Sequence, residues 1–314
     1  MRDRPDGFDE GLLLPALREA WGIRAGGLDY APVGFGDYHW VAGGRWFVTV
    51  ADLGRRSHDG LRLALETARA LRERAGLGFV VAPLSTRDGA VLVRLGRHAV
   101  SVFPYEEGVP GDFGDARPPA ERERLIDLLA ALHRTPPPAS TPRAPAGLAG
   151  RGPLEAALRE SGRPWRGGPY AEPARELVAR HAAVLRRCLT RLDTMSGTFG
   201  TSGGLVVTHG EPHPGNLLRA PGGRLLLVDW DTVGLAVPER DLWHLSPTPD
   251  DLARYAAATG RRPDRDLLAS YRLRWALDDV ADFVSWFRAS HGDTPDTRQG
   301  WAGLKGTVEE LAAG

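Results

Sequence analysis

VVTHGEPHPGNLLRAPGGRLLLVDWD, residues 206–231, is the stretch whose reading decides the fold. An apolar run, Leu205-Val206-Val207, leads into a turn-rich segment carrying His209, Glu211, His213 and Asn216. A second run, Leu225-Leu226-Leu227-Val228, ends at Asp229 and Asp231. Pro221-Gly222-Gly223 between the two marks a tight reversal. The pattern is strand, loop, hairpin, strand, and it gathers one carboxylate, one amide and two further carboxylates. Phosphoryl transfer calls for such a set: one group to orient an attacking hydroxyl, and oxygen ligands for the Mg²⁺ that neutralises phosphates.

Working outward, the 314 residues suffice for one large domain or two lobes with their own cores. At 42% hydrophobic and 25% charged residues, the composition is that of an ordinary soluble globular protein. The formal net charge of +0 gives no pull toward nucleic acid or an anionic membrane. No basic stripe with interleaved aromatics is present, and no apolar run reaches the length of a membrane span. The first ten residues, MRDRPDGFDE, lack the apolar core of a signal peptide. Cys188 is the one cysteine, which rules out an internal disulfide and fits a reducing cytoplasm. It falls in a helical pattern with Leu185, Leu189 and Leu192 and reads as packing. The expected partner is therefore a small molecule, and the chain is compatible with a monomer or a homodimer. Lys and Arg together number 40; Lys305 is the one lysine, which leaves 39 arginines.

Gly7 to Trp21 has the periodicity of a helix (Leu12, Leu13, Leu17, Trp21). From Leu28 to Val50 the pattern is that of short strands, with turns at Gly34-Phe35-Gly36 and Gly43-Gly44. Leu61 to Arg74 reads as a helix stopped by Gly76, and Phe79–Ala82, Ala90–Leu95 and Ala99–Phe103 read as strands. Pro104 to Gly114 is a turn-rich acidic link, and residues 135–153 form a Pro/Ala/Gly-rich loop. The helical segments are Glu121–His133, Pro173–Met195, Glu239–Leu245, Asp250–Thr259, Asp264–Ser290 and Thr297–Ala313. The expected fold is α+β and mainly antiparallel. A small β-rich lobe over residues 1–103 and a hinge at 104–108 precede a large helical lobe over 109–314.

Glu211, in a turn after a strand, can orient a substrate hydroxyl or accept its proton; its bland alternative is a solvated loop acid. Asn216 offers a neutral oxygen to a cation, or serves as a turn residue. Asp229 follows four apolar residues and is expected as a charge at the end of a buried strand, a costly placement without a cation or donors. Asp231 is a second ligand or a loop anchor. His209, Glu211 and His213 alternate in a way that a transition metal could use, but Pro212 and Pro214 interrupt any strand and no further His/Cys cluster is evident. His209 is instead expected to support the loop, and His213 to touch phosphate or substrate or to be structural.

This stretch resembles the catalytic and metal loops of the aminoglycoside phosphotransferase/choline kinase family, which is similar in fold to eukaryotic protein kinases. The family pattern H-G-D-x-x-x-x-N, hairpin, I-D-[WF]-[DEG] stands here as His209-Gly210-Glu211-Pro212-His213-Pro214-Gly215-Asn216 and Val228-Asp229-Trp230-Asp231. Pro238-Glu239-Arg240-Asp241-Leu242 matches P-x-x-D-[LI], in which the Asp supports the catalytic loop, and Leu128 to His133 resembles the L-x-x-L-H helix end. The resemblance implies a bilobal protein-kinase-like fold and transfer of the γ-phosphate of ATP or GTP to a small-molecule hydroxyl. In that reading Glu211 is the base and Asn216 and Asp229 hold Mg²⁺.

Two departures from the family stand out. Glu211 replaces the usual Asp, lengthening the arm by roughly one C–C bond. The family's phosphate-binding lysine falls at Thr49, in Trp46-Phe47-Val48-Thr49-Val50, and its partner acid at Glu66. Arg45, Arg55, Arg56 and His39 are the candidate substitutes. The resemblance further places the nucleotide under Gly34 and Gly36, whose backbone N–H groups suit phosphates, and against the backbone of Phe103-Pro104-Tyr105-Glu106. Asp278, Asp279 and Asp282 are candidates for a cationic acceptor such as an aminoglycoside, or simply the solvated face of an amphipathic helix.

Overall fold

The computed structural model describes residues 1–112, 117–196 and 204–314. The last part of the acidic link, from residue 113, lies outside them. The contacts divide the chain into two compact units, Met1–Ala144 with Gly203–Pro263, and Pro145–Ser202 with Asp264–Gly314. The lobe boundary expected at 104–108 falls inside the first.

The first unit opens with α1 (Leu13–Ala16), flanked by a 3₁₀ turn and a π turn. The helix expected over Gly7–Trp21 runs from Glu10 to Trp21 with three hydrogen-bonding types in succession, since Pro15 carries no N–H for a regular α-helical ladder. Next come β1 (Leu28–Ala31), β2 (Tyr38–Ala42), β3 (Trp46–Asp52), α2 (His58–Glu73), β4 (Val93–Leu95) and β5 (His98–Pro104). The five strands form one antiparallel sheet in the order β1-β2-β3-β5-β4. Side chains alternate across it. Trp40, Val48, Val50, Val100 and Val102 pack with Leu13 and Leu17 on one face. On the other, Ala51 and Ala99 pack with Leu61 and Leu65 of α2. Ser57 caps α2 by accepting from Gly60 N–H at 3.3 Å.

Phe79–Ala82 does not join this sheet. Val80 makes an isolated parallel bridge to Leu227, and Val81 N–H donates to the Leu227 carbonyl at 3.0 Å. Leu227 N–H in turn donates to the Phe79 carbonyl at 2.8 Å, and all four residues are buried, so the run lies beside the second run of the hairpin rather than in the five-stranded sheet. The strand expected over Ala90–Leu95 shrinks to Val93–Leu95, because the Ala90 carbonyl closes a turn with Thr86 N–H at 2.8 Å.

Beyond the sheet lie β6 (Val109–Pro110), α3 (Pro119–Arg134), α4 (Arg151–Glu160), α5 (Ala171–Ser196), β7 (Val206–Thr208), β8 (Leu217–Ala220), β9 (Arg224–Leu227) and β10 (Gly234–Ala236). The chain ends with α6 (Glu239–Leu242), α7 (Pro249–Thr259), α8 (Arg265–Arg288) and α9 (Pro295–Ala313). β8 and β9 form the expected hairpin, turning at Gly222 and Gly223, both with φ near +75°. β10 pairs with β7, and β6 with β8; neither two- to three-residue strand carries a sequence pattern of its own. Helix α4 begins inside the expected loop, because Pro153 sits in its first turn, where no N–H is needed. In the second unit, α4, α5, α8 and α9 share a core that includes Leu154, Leu177, Leu185, Val284 and Phe287, and Cys188 packs against it.

Candidate active site

The site lies within the first unit. Strand β7 delivers the chain to Thr208, whose hydroxyl donates to the Gly234 carbonyl at 2.7 Å. The next two backbone N–H groups, of His209 and Gly210, donate to Asp241 at 2.8 and 2.7 Å. His133 Nε2 donates to the same carboxylate at 3.0 Å, and its Nδ1 meets the Tyr255 hydroxyl at 2.8 Å. Burial alone would raise the Asp241 carboxyl. The hydrogen bond and charge of His133, with Arg240, outweigh it and hold the group below the usual range. Gly210 has φ +104°, and a Cβ there would run into the Arg240 guanidinium, so glycine is required twice over.

Buried His209 joins the catalytic loop to the metal loop. Its Nδ1 accepts from Glu211 N–H at 3.3 Å and its Nε2 donates to the Val228 carbonyl at 2.9 Å, with Trp230 edge-on at 4.5 Å. Asn216 is buried, and its Nδ2 donates to the Glu211 carbonyl at 3.1 Å and to His213 Nε2 at 3.3 Å, which leaves the carbonyl oxygen as the outward acceptor. Burial pushes His213 down to about 4, so it is neutral. Arg117 ties this loop from outside, donating to the Pro212 and His244 carbonyls at 2.9 and 2.8 Å.

The metal loop corrects one expectation. Strand β9 ends at Leu227, and Asp229 is exposed rather than buried at a strand end. Its surface is open to solvent, while protein further out crowds it. It stands at φ +63°, in the left-handed region that non-glycine residues rarely adopt and that concentrates at functional sites. Its carboxyl is raised well above the usual range by the surrounding protein and by Asp231, Glu211 and Asp37.

Arg56, just before α2, reaches across to Asp231 in a close ion pair and to Asp37 at 3.5 Å. Crowding and the charge of Asp231 push Asp37 up to about 6, against the pull of Arg56. Thr49 Oγ1 meets His39 Nδ1 at 3.1 Å across the β2–β3 pair. Glu66 pairs with Arg62 at 2.9 Å, one helical turn away. At the glycine turn, Gly34 and Gly36 have φ of +71° and +110°, and Gly36 N–H donates to Met1 Sδ at 3.2 Å. Phe103 lies opposite Phe47 in the sheet; Tyr105 is exposed, and its N–H donates to the Arg45 carbonyl at 3.0 Å.

Sequence reasoning missed the Asp37 side chain, Arg117 and Tyr255. Asp37 adjoins the glycine turn, which was the available signal; the other two carry none.

A family model described as "Phosphotransferase enzyme family" matches residues 37–289. The chain belongs to this family. Protein StrN of Streptomyces griseus is 31% identical over 285 residues, covering 86% of this chain and 83% of that one. The fold is that of spectinomycin phosphotransferase APH(9)-Ia, solved with ADP and spectinomycin: TM-score 0.78 at 17% identity, over 98% of this chain and 99% of that one. It is also similar to choline kinase LicA from Streptococcus pneumoniae, with TM-score 0.57 at 16% identity over 97% and 99% of the two chains. This phosphotransferase therefore has the kinase-like α+β fold. No described helix is long and apolar enough to cross a membrane.

The three acids of α8 belong to the second unit. Asp278 accepts from Ala149 N–H at 3.0 Å, and Asp279 from the Thr307 hydroxyl at 3.1 Å; Asp282 is exposed. Among the described residues, no group of three or more His, Cys, Asp or Glu side chains is arranged to hold a metal ion.

Proposed function

We propose that this chain transfers the γ-phosphate of ATP or GTP to a hydroxyl of a natural-product antibiotic, aminoglycoside-like or related, in resistance or self-protection. The observation that carries this reading is the loop itself. Glu211 is held on both sides of its backbone, by His209 and Asn216, and its charge bears on the open carboxylate of Asp229. The antibiotic phosphotransferase fold shared with APH(9)-Ia supports it.

Asn216 and Asp229 are the residues that would hold Mg²⁺. The donors are hard oxygens, and Asp229, Asp231, Asp37 and Glu211 together outnumber the two arginines whose charge bears on them, Arg56 and Arg55. Mg²⁺ suits a site of one or two protein ligands completed by phosphates and water. Bound there, it would supply charge neutralisation on the transferring phosphate. Glu211 orients the acceptor hydroxyl and takes its proton as the oxygen attacks the γ-phosphorus. The bond from that phosphorus to the bridging oxygen breaks, and the nucleoside diphosphate leaves. The base is held by hinge backbone groups other than the Tyr105 N–H, which the Arg45 carbonyl engages. The enzyme works in the cytoplasm.

The test is transfer from labelled ATP and GTP to aminocyclitol, aminoglycoside and nucleoside antibiotics, with choline and homoserine alongside. Transfer to an antibiotic, abolished by Glu211→Ala and by Asp229→Ala, is the expected result; transfer unchanged in both variants would overturn the mechanism. Preference for choline or homoserine would make the chain a metabolite kinase. Thr49 in the lysine position favours a second reading, a nucleotide-binding protein without turnover, for which binding would persist with no transfer to any acceptor.

A further inference from the structure

The sequence leaves the phosphate grip without its lysine, and the structure shows what surrounds each candidate substitute. Lys305, the one lysine, lies one helical turn from Glu309 in α9, at 3.9 Å. Thr49 is uncharged and pairs with His39, and burial pushes His39 down to about 3, so neither brings positive charge. Arg45 lies over the Trp46 ring at 5.1 Å, and Arg55 is exposed. Glu66, which would have held the lysine, is paired with Arg62 instead.

Arg56 remains. It is the residue before the cap of α2, and its guanidinium bridges Asp231 of the metal loop and Asp37 of the glycine turn. It therefore spans the two elements between which the phosphates of a nucleotide would lie. Its side chain is 30% exposed, so part of the five-donor fork faces solvent. Resting on the kinase reading above, we propose that Arg56 is the phosphate-binding cation of this site, in place of the missing lysine. Its bond to Asp231 makes that acid an anchor for the arginine rather than a second metal ligand. A planar fork can hold a carboxylate on one edge and a phosphate on another, which a lysine ammonium does less well.

The test separates phosphate from nucleoside. Affinities of the full chain for Mg²⁺·ATP and Mg²⁺·GTP are measured against adenosine and guanosine, with Arg56→Gln, Arg56→Lys and Arg55→Gln beside the unchanged protein. Arg56→Gln should weaken the triphosphates roughly 10- to 100-fold, the scale of charge-assisted hydrogen bonds, and leave the nucleosides unchanged. Arg56→Lys should fall between, and Arg55→Gln should match the unchanged protein. Triphosphate affinity that survives Arg56→Gln would overturn the proposal, as would an equal loss for nucleosides or an equal effect of Arg55→Gln. If Arg56→Gln does not fold, Arg56→Lys carries the test: a severalfold loss confined to triphosphates is expected, and no loss overturns it. Failure of the unchanged protein to bind either triphosphate would instead overturn the kinase reading itself.

Discussion

The catalytic loop and the arginine side of the site are held by opposite means. His209 to Asn216 is fixed by short hydrogen bonds from buried groups, centred on an Asp241 with no exposed surface. Arg56, Asp37 and Asp231 hold one another by charge, partly open to water, with no backbone bond among them. Ion pairs of that kind are weak and easily exchanged for another anion, whereas buried bonds to backbone N–H groups lock a geometry. The difference fits the two roles proposed above. A base must be placed to within a fraction of an ångström, while a phosphate-binding cation has only to meet a flexible, highly charged ligand.

The strongest way to break this comparison is at the base. Glu211→Ala should lower kcat by about 10³-fold with nucleotide affinity little changed, as for loss of a general base; steady-state transfer assays decide, and a loss under tenfold would remove Glu211 from the chemistry. Asp241→Ala should come next. It strands two backbone N–H groups and His133, and should lower stability in urea unfolding by about 3 kcal/mol. Arg56→Gln, by contrast, should cost about 1 kcal/mol as a partly exposed pair. If the order is reversed, the two sides do not differ as described.

The pH dependence sharpens the contrast, because the two aspartates titrate in opposite directions. Asp241 lies below the usual range, so its contribution is present at neutral pH and lost as pH falls through that range. Asp37 is raised to about 6, so the folded chain favours its protonated form, and that contribution is lost as pH rises toward 6. Asp37→Asn should therefore gain stability relative to the parent between about pH 4 and 7, by about 3 kcal/mol. Thermal unfolding across that range measures it, and a flat difference would show that Asp37 is not raised. The smallest expected effect is Tyr255→Phe, about 1 kcal/mol for one lost hydrogen bond to His133, with KM unchanged.

Much of the catalytic loop was legible because its signals are local. The hairpin, the glycine at 210 and the spacing of Glu211, Asn216 and Asp229 all fall within one stretch, and α3 and Asp241 announced their places by pattern. The Arg62–Glu66 pair was legible too, as a four-residue helical spacing, although the resemblance drew attention to a missing lysine instead. The exposure of Asp229 was not. Four apolar residues predict a buried strand, but the strand stops at Leu227 and a left-handed turn brings the carboxylate out. Phe79–Ala82 misled for a related reason: an apolar run reports burial, not the strand it will lie beside.

By itself the sequence carried the kinase-like fold, the membership of the phosphotransferase family, a candidate site loop at 206–231 and the absence of a lysine from residues 1–304. The hairpin follows from turn chemistry, which acts over a few residues, whereas the family and its fold follow from the resemblance carried by 209–216, 228–231 and 238–242. Only the tertiary structure decided which arginine stands in the site, because Arg56 and Asp231 are 175 residues apart. Nothing in either neighbourhood marks the pair. Charge acts through space, and the chain must fold before one arginine among 39 is brought to face the acids of the metal loop.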